Sequence, residues 1–98
     1  MVKSVALKVN DLDNVATIFA DVQVGQEVEI RDKKGDIYTI KALSDIPYGH
    51  KIATKPIQKS EKIYKYGEEI GVATSSIHLG GYVHVHNLDS ARARGDLK

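Results

Sequence analysis

The segment Asp45-Ile46-Pro47-Tyr48-Gly49-His50-Lys51-Ile52 carries the pattern that decides the fold. Its two isoleucines, Ile46 and Ile52, flank Gly49 at equal distance along the chain. Pro47 fixes its own φ and suits the second position of a tight turn, and Gly49 permits a positive φ without steric cost. The segment therefore predicts a tight turn that leads into a short strand, with both isoleucines in the core.

The same spacing of aliphatic, small and aliphatic residues recurs at Val22-Gly25-Val28, Ile57-Ser60-Ile63 and Ile77-Gly80-Val83. Successive copies begin 24, 11 and 20 residues apart. A solenoid requires a constant repeat length, so these intervals argue against one. They favour a compact β barrel or clip of many short strands.

Alternating apolar residues predict further strands around these turns. Val28 to Ile30 and Ile37 to Thr39 flank a charged, glycine-containing stretch, which predicts a hairpin. Residues 63–66 and 82–86 also alternate with period two. Between Asn14 and Val22 a helix capped by Asp13 competes with a strand, and the β-branched residues there favour the strand. The predicted class is all-β, with short strands, tight turns and little helix.

Length and composition narrow the possibilities. Ninety-eight residues suit one domain, which we assign to residues 1–88, followed by a polar tail or linker at residues 89–98. That tail is either disordered or a short helix that orders on a partner. The chain has no cysteine, which excludes disulfides, thiolate metal sites and cysteine nucleophiles. No apolar run is long enough to span a bilayer, and we expect a cytoplasmic protein without a membrane partner.

The charge is balanced overall but uneven along the chain. The net charge of +1 argues against a dedicated nucleic-acid-binding protein. Residues 11–36 hold seven acids and three bases, a net of −4, whereas residues 50–66 hold five lysines and one glutamate, a net of +4. The basic segment could attract a small anion.

Two histidines near the end of the chain are the most specific chemical feature. His84 and His86 lie in the run Val83-His84-Val85-His86-Asn87. On a strand, alternate side chains share a face, so both imidazoles would point the same way and could bind a divalent metal. A closed metal site would need a third ligand from elsewhere. Alternatively the two are ordinary solvated or hydrogen-bonded strand histidines.

Two other segments could contribute chemistry. The turn at Pro47 and Gly49 presents His50 and Lys51, suited to proton transfer and anion binding, although it could be an ordinary polar turn. The segment Tyr64-Lys65-Tyr66-Gly67 combines tyrosine with lysine, which can bind RNA but is more often a solvated basic face. The chain contains no phosphate-binding loop, no nucleophile elbow and no complete catalytic set. It therefore fits a subunit that contributes to a shared site.

Four segments in fixed order resemble a known family: residues 13–16, 45–51, 63–71 and 84–87. Together they resemble the N-terminal SAF-type β-clip domain of the altronate and galactarate dehydratases, over about residues 3–88. The ending His84-Val85-His86-Asn87 looks closer to the altronate branch. Ser60 departs from the family pattern, in which glycine is common at that turn. The small subunit of sulfolactate sulfo-lyase is of the same type.

This resemblance implies a function and an assembly. It implies the small subunit of an altronate dehydratase, a hydro-lyase that converts D-altronate to 2-keto-3-deoxy-D-gluconate and water together with a large catalytic subunit. It also implies a dependence on a divalent metal, with Fe(II) or Mn(II) expected, and an oligomeric enzyme. The alternatives are the small subunit of a related β-eliminating lyase, acting on galactarate or sulfolactate, and a non-catalytic sugar-acid-binding or assembly module.

The resemblance also assigns roles to individual residues. It implies that His50 transfers a proton, that Lys51 holds the anionic substrate, and that both are catalytic. Tyr66 and Gly67 are expected at the edge of the substrate pocket. His84 and His86 are expected to bind the metal or the substrate.

Overall fold

The computed structural model describes residues 4–90, and these residues form nine strands and no helix. The strands are β1 (Ser4–Lys8), β2 (Val15–Ile18), β3 (Glu27–Asp32), β4 (Ile37–Lys41), β5 (Lys51–Ala53), β6 (Lys62–Lys65), β7 (Glu68–Ala73), β8 (Tyr82–Val83) and β9 (Leu88–Ser90). The prediction of an all-β clip with short strands and tight turns is confirmed. Over the same residues no helix is long and apolar enough to cross a membrane.

The strands are arranged in two sheets. Six form one sheet in the order β4-β3-β1-β2-β5-β8, and the other three form a sheet in the order β6-β7-β9. The predicted hairpin is β3 and β4, which pair antiparallel around a turn at Gly35. The favoured strand between Asn14 and Val22 is β2, and all four of its residues are buried. Within residues 4–90, β1 and β3 are the only strands that pair in parallel.

The four turns with the repeated spacing form as predicted. Gly25, Gly49, Ser60 and Gly80 all have positive φ, between 74° and 88°. Ser60 shows that this turn tolerates a side chain at the left-handed position, although glycine adopts this conformation with less steric strain. All eight aliphatic residues of the pattern are at most 5% exposed. The repeat is thus the common element of the core.

The four turns associate in two pairs. Val22 and Ile46 form an isolated bridge with both main-chain hydrogen bonds, at 2.9 and 2.8 Å. Ile57 and Ile77 form the equivalent bridge, at 2.8 and 2.7 Å. The first pair belongs to a core cluster on one face of the large sheet, and the second pair belongs to a separate cluster that the small sheet covers. Each core is therefore closed by its own pair of turns.

Two details at the end of the chain differ from the expected pattern. Strand β8 stops at Val83, and residues 84–87 form a turn rather than the predicted continuation of the strand. Strand β9 pairs with β7 and extends to Ser90. The remainder of the predicted tail, residues 91–98, lies outside the described residues, and the domain boundary after residue 88 stays a prediction.

Candidate functional site

The turn that presents His50 is fixed by its partner turn. The Asp45 carboxylate accepts a hydrogen bond from the Val24 amide at 2.8 Å, and the Asp21 carboxylate accepts one from the Tyr48 amide at 2.9 Å. The His50 carbonyl in turn accepts from the Ile18 amide at 2.9 Å. These reciprocal contacts hold the backbone on both sides of the imidazole, so His50 has a defined position.

Asn87 shapes the second histidine segment. Its side-chain oxygen accepts from the His84 amide at 3.0 Å, its side-chain nitrogen donates to the Tyr82 carbonyl at 2.8 Å, and its own amide donates to the His84 carbonyl at 3.0 Å. These bonds replace the strand ladder after Val83 and close a turn. The predicted strand alternation through residues 82–86 would place Val85 on the same face as Val83, but Val83 is buried and Val85 is 78% exposed. Asn87 is a structural residue of the His-x-His-Asn segment.

The two histidine segments meet around Tyr82. The Tyr82 hydroxyl hydrogen-bonds to His50 Nδ1 at 2.5 Å. The rings of His50 and His84 stack with centroids 4.2 Å apart, and the His86 ring lies 5.0 Å from the Tyr82 ring. We call His50, Tyr82, His84 and His86 the histidine cluster. The structure thus brings together the three predicted histidines and adds a tyrosine.

Tyr82 was not singled out by the sequence. Its position two residues before His84 could have indicated it, since alternate residues of a strand share a face. The rings of Tyr82 and His84 do stack, with an angle of 11° between their planes. Tyr82 and His86 also border a surface groove of about 260 Å³, together with Leu43, Ser44, Ser76, Ile77, His78, Gly81 and Asn87.

The charged groups that shift the pKa of His84 are all positive. Partial burial lowers the pKa of His84, and the neighbouring His50, Lys51 and His86 lower it further. Burial also lowers the pKa of Lys51, with a smaller contribution from Lys65. No carboxylate contributes to either shift. His84 therefore favours its neutral form at pH 7, in which one ring nitrogen donates and the other accepts.

The cluster alone does not complete a metal site. Imidazole binds a metal through a lone pair in the ring plane, and the stacked rings of His50 and His84 direct their in-plane nitrogens along roughly parallel planes. Among residues 4–90 no three or more histidine, aspartate or glutamate side chains are grouped to hold a metal ion. A metal at His84 or His86 would need further ligands from outside these residues, and that role stays a prediction.

Lys51 lies on the other face of the large sheet. Its strand pairs it with Val83, which belongs to the core under the small sheet, whereas Tyr82 pairs with Ile52 and packs on the opposite core. The cross-strand neighbour of Lys51 on its other side is Thr17. Lys51 and His50 are thus consecutive in sequence but belong to different surfaces.

Tyr66 and Gly67 lie at the turn between β6 and β7. Tyr66 is 50% exposed and has a φ of 57°, and Gly67 has a φ of 78°. The Lys65 ammonium lies over the Tyr66 ring, 4.9 Å from its centroid. Lys65 also lowers the pKa of Lys51, so it lies within electrostatic range of that residue while it contacts the Tyr66 ring.

A buried polar pair ties that turn to the large sheet. The Asp13 carboxylate, 1% exposed, accepts hydrogen bonds from four amides, those of Val9, Asn10, Tyr66 and Gly67. The neighbouring Asn14 donates through its side chain to the Lys62 carbonyl and accepts from the Tyr64 amide, both at 2.9 Å. Asp13 is therefore not a helix cap. It fixes the position of the Tyr66 turn from more than fifty residues away in sequence.

Comparison with known proteins agrees with this architecture. The family model described as the altronate/galactarate dehydratase SAF domain matches residues 4–91. The chain is 40% identical over 99 aligned residues to altronate dehydratase of Escherichia coli K12, an alignment that covers 94% of the chain and 19% of that protein. It is 36% identical to altronate dehydratase of Bacillus subtilis 168, over 83% of the chain and 15% of that protein.

A third relative is a subunit rather than a long enzyme. The chain is 38% identical over 55 residues to the alpha subunit of (2R)-sulfolactate sulfo-lyase of Paracoccus pantotrophus, covering 56% of the chain and 82% of that subunit. The fold and these matches define a SAF-type β-clip domain. The chain belongs to the SAF-domain family of the altronate and galactarate dehydratases. It spans less than a fifth of the length of each of the two altronate dehydratases, which by name are lyases.

Proposed function

We propose that the chain acts as the small subunit of an altronate dehydratase, which removes water from D-altronate to give 2-keto-3-deoxy-D-gluconate. The observation that carries this proposal is the meeting of His50 and His84 around Tyr82 in a domain of the dehydratase family. Among the described residues no three or more histidine, aspartate or glutamate side chains are grouped to hold a metal ion, and the chain has no cysteine. A large catalytic subunit supplies the rest of the site, and the domain alone is inactive.

The proposed reaction needs proton transfer at two positions. A base takes the proton from the carbon next to the substrate carboxylate, and an acid protonates the departing 3-hydroxyl group. His50 is the proposed proton-transfer group, because the Tyr82 hydroxyl occupies its Nδ1 and leaves Nε2 available to substrate. Lys51 is the proposed cation for the substrate carboxylate, and Tyr66 with Gly67 forms the outer edge of that surface.

A divalent metal, Fe(II) or Mn(II), is part of the proposal but not of the steps assigned to this chain. Its chemistry would be stabilisation of the enediolate formed after proton removal. Because the rings of the histidine cluster do not complete a site, the large subunit would supply most of the ligands, with His84 or His86 contributing at most one or two.

A reconstitution assay tests the proposal. The 98-residue chain, a large dehydratase subunit from the same source, and the two mixed are each assayed for 2-keto-3-deoxy-D-gluconate formation from D-altronate in the presence of Fe(II) or Mn(II). We expect turnover only in the mixture, and also co-elution of the two chains as one oligomer. Full turnover by the large subunit alone, unchanged by the small one, would reduce the chain to an accessory module.

A second candidate function is the small subunit of a related β-eliminating lyase. It is favoured by the similarity to the sulfolactate sulfo-lyase alpha subunit, 82% of which is covered. Elimination of water and elimination of sulfite both begin with loss of the proton beside a carboxylate, so the same residues would serve. Galactarate and (2R)-sulfolactate are therefore assayed beside D-altronate, and the substrate with the highest kcat/KM decides between the two.

The metal role of the histidines has its own test. Replacing His84 and His86 together by alanine should lower the metal content of the reconstituted enzyme, measured by elemental analysis, and its turnover. Replacing His78, which lies outside the ring contacts of the cluster, is the matched control. Unchanged metal content and turnover in the double variant would show that neither histidine is a ligand.

We also propose a cytoplasmic location, with no membrane partner and no RNA partner. Salt-dependent retention of the chain on RNA would contradict the absence of an RNA partner.

A further inference from the structure

Two half-buried lysines, one in each sheet, lie within electrostatic range of each other. Lys51 begins β5 in the large sheet, and Lys65 ends β6 in the small one. The backbone next to Lys65 is held against the large sheet, because the Asn14 amide donates to the Tyr64 carbonyl at 3.3 Å and the Asn14 side chain accepts from the Tyr64 amide. The lysine charges are close enough for Lys65 to lower the pKa of Lys51.

Neither ammonium group has a carboxylate partner among the described residues. The salt bridges there involve Arg31, Lys34 and Lys62. Glu68 pairs with Lys65 across the hairpin but is exposed and forms no salt bridge with it. The Lys65 ammonium contacts the Tyr66 ring, which attracts the cation but carries no net charge to neutralise it. Two half-buried lysines without a carboxylate partner favour binding of an anion.

A third polar group on the same surface lacks a partner. Thr17 is the cross-strand neighbour of Lys51, so the two side chains share a face of the sheet. Thr17 is 8% exposed, and its hydroxyl has no hydrogen-bond partner. A buried hydroxyl is ordinarily paired. An oxyanion held by the two lysines would supply the missing acceptor.

We propose that Lys51 and Lys65, with the Thr17 hydroxyl at the floor, form a binding site for the carboxylate end of a small hydroxy acid at the junction of the two sheets. The ligand class is a monocarboxylate or dicarboxylate sugar acid, or a sulfonate of similar size. The inference rests on the proposed function for the identity of the anion. It adds Lys65 and Thr17 as residues that bind it.

The test is a titration of the isolated 98-residue chain followed by ¹H–¹⁵N NMR. The probes are sodium D-altronate, and D-altritol as the analogue without a carboxylate, at constant ionic strength. We expect saturable shifts at Thr17, Lys51 and Lys65 with D-altronate and none with D-altritol. Lys65→Gln should weaken the binding about five- to tenfold, since one charge-assisted contact to a half-exposed group is lost. Lys62→Gln, which changes an exposed lysine of the same strand, should not.

The possible outcomes are separable. Non-saturable shifts, shifts shared by D-altritol, or equal binding by Lys65→Gln and Lys62→Gln would each overturn the site. Thr17→Val tests the hydroxyl with little change of shape, and we expect weaker binding without loss of the folded spectrum. Titrations with D-galactarate and (2R)-sulfolactate identify the acid that binds most tightly. If Lys65→Gln weakens anion binding while no mixture with a large subunit shows turnover, the site stands and the proposed reaction fails.

Discussion

Replacing Asp13 by asparagine should unfold the domain at a much lower temperature. Oδ2 of Asp13 accepts from three amides, at 3.3, 3.0 and 3.0 Å, and Oδ1 accepts from the Gly67 amide at 2.8 Å. Asparagine has one oxygen, so its amino group would face at least one of these donors. One lost bond to a charged group costs about 2 kcal/mol, and three weakened bonds cost about 0.5 kcal/mol each.

The expected loss is therefore about 3.5 kcal/mol, a large part of the roughly 5–15 kcal/mol that stabilises a domain. For a domain of this size it corresponds to a fall in Tm of about 14–28 °C. Thermal unfolding followed by circular dichroism measures it, and hydrogen exchange should show faster exchange of the Tyr66 and Gly67 amides. Asp11→Asn is the control, because Asp11 pairs with Lys34 on the surface with both side chains about two-thirds exposed. Equal melting of the two variants would refute the reasoning.

Three further predictions follow from the turns and the cluster. Gly80→Ala should cost about 1–3 kcal/mol more than Gly25→Ala in denaturant unfolding. Of these two positions, only at Gly80 would the new Cβ meet a main-chain carbonyl, that of Lys41 at the end of β4, whereas Gly25 has open space. Equal costs would contradict this. His84 should titrate below 6.5 by NMR. Because the unfolded chain then binds more protons, stability should fall as the pH drops below about 6.5, and His84→Gln should reduce this loss; a midpoint at or above 6.5 would contradict it. Tyr82→Phe should lower kcat of the reconstituted enzyme about tenfold by releasing His50, and an unchanged kcat would show that the hydroxyl does not position the ring.

The local structure was predictable where a residue type permits one backbone conformation. The four turns were found because glycine, or once serine, stands midway between two aliphatic residues that reach one core. The β3–β4 hairpin was found because alternating residues flank a charged turn. In each case the deciding contacts lie within a few residues of each other in sequence.

The site was less predictable because its contacts are long-range or depend on one side chain. Asn87 ends the strand because its side chain binds the His84 amide and the Tyr82 carbonyl. The alternation of apolar residues gives no indication of these bonds. Asp13 was considered as a helix cap, because nothing nearby shows that its partners are Tyr66 and Gly67. The pairing of His50 with Tyr82 required the register of β5 and β8, which only the sheet topology supplies.

The arrangement of the two surfaces limits how one substrate could use both. The histidine cluster lies on one face of the β5–β8 pair and Lys51 lies on the other. Strand β8 is the edge of the large sheet and is only two residues long, so the faces meet just beyond Val83, where the charge of Lys51 still reaches His84. A sugar acid whose carboxylate lies at the lysines can therefore reach His50 only around this edge. A short edge strand leaves that path open, and an extended strand through His86 would have closed it.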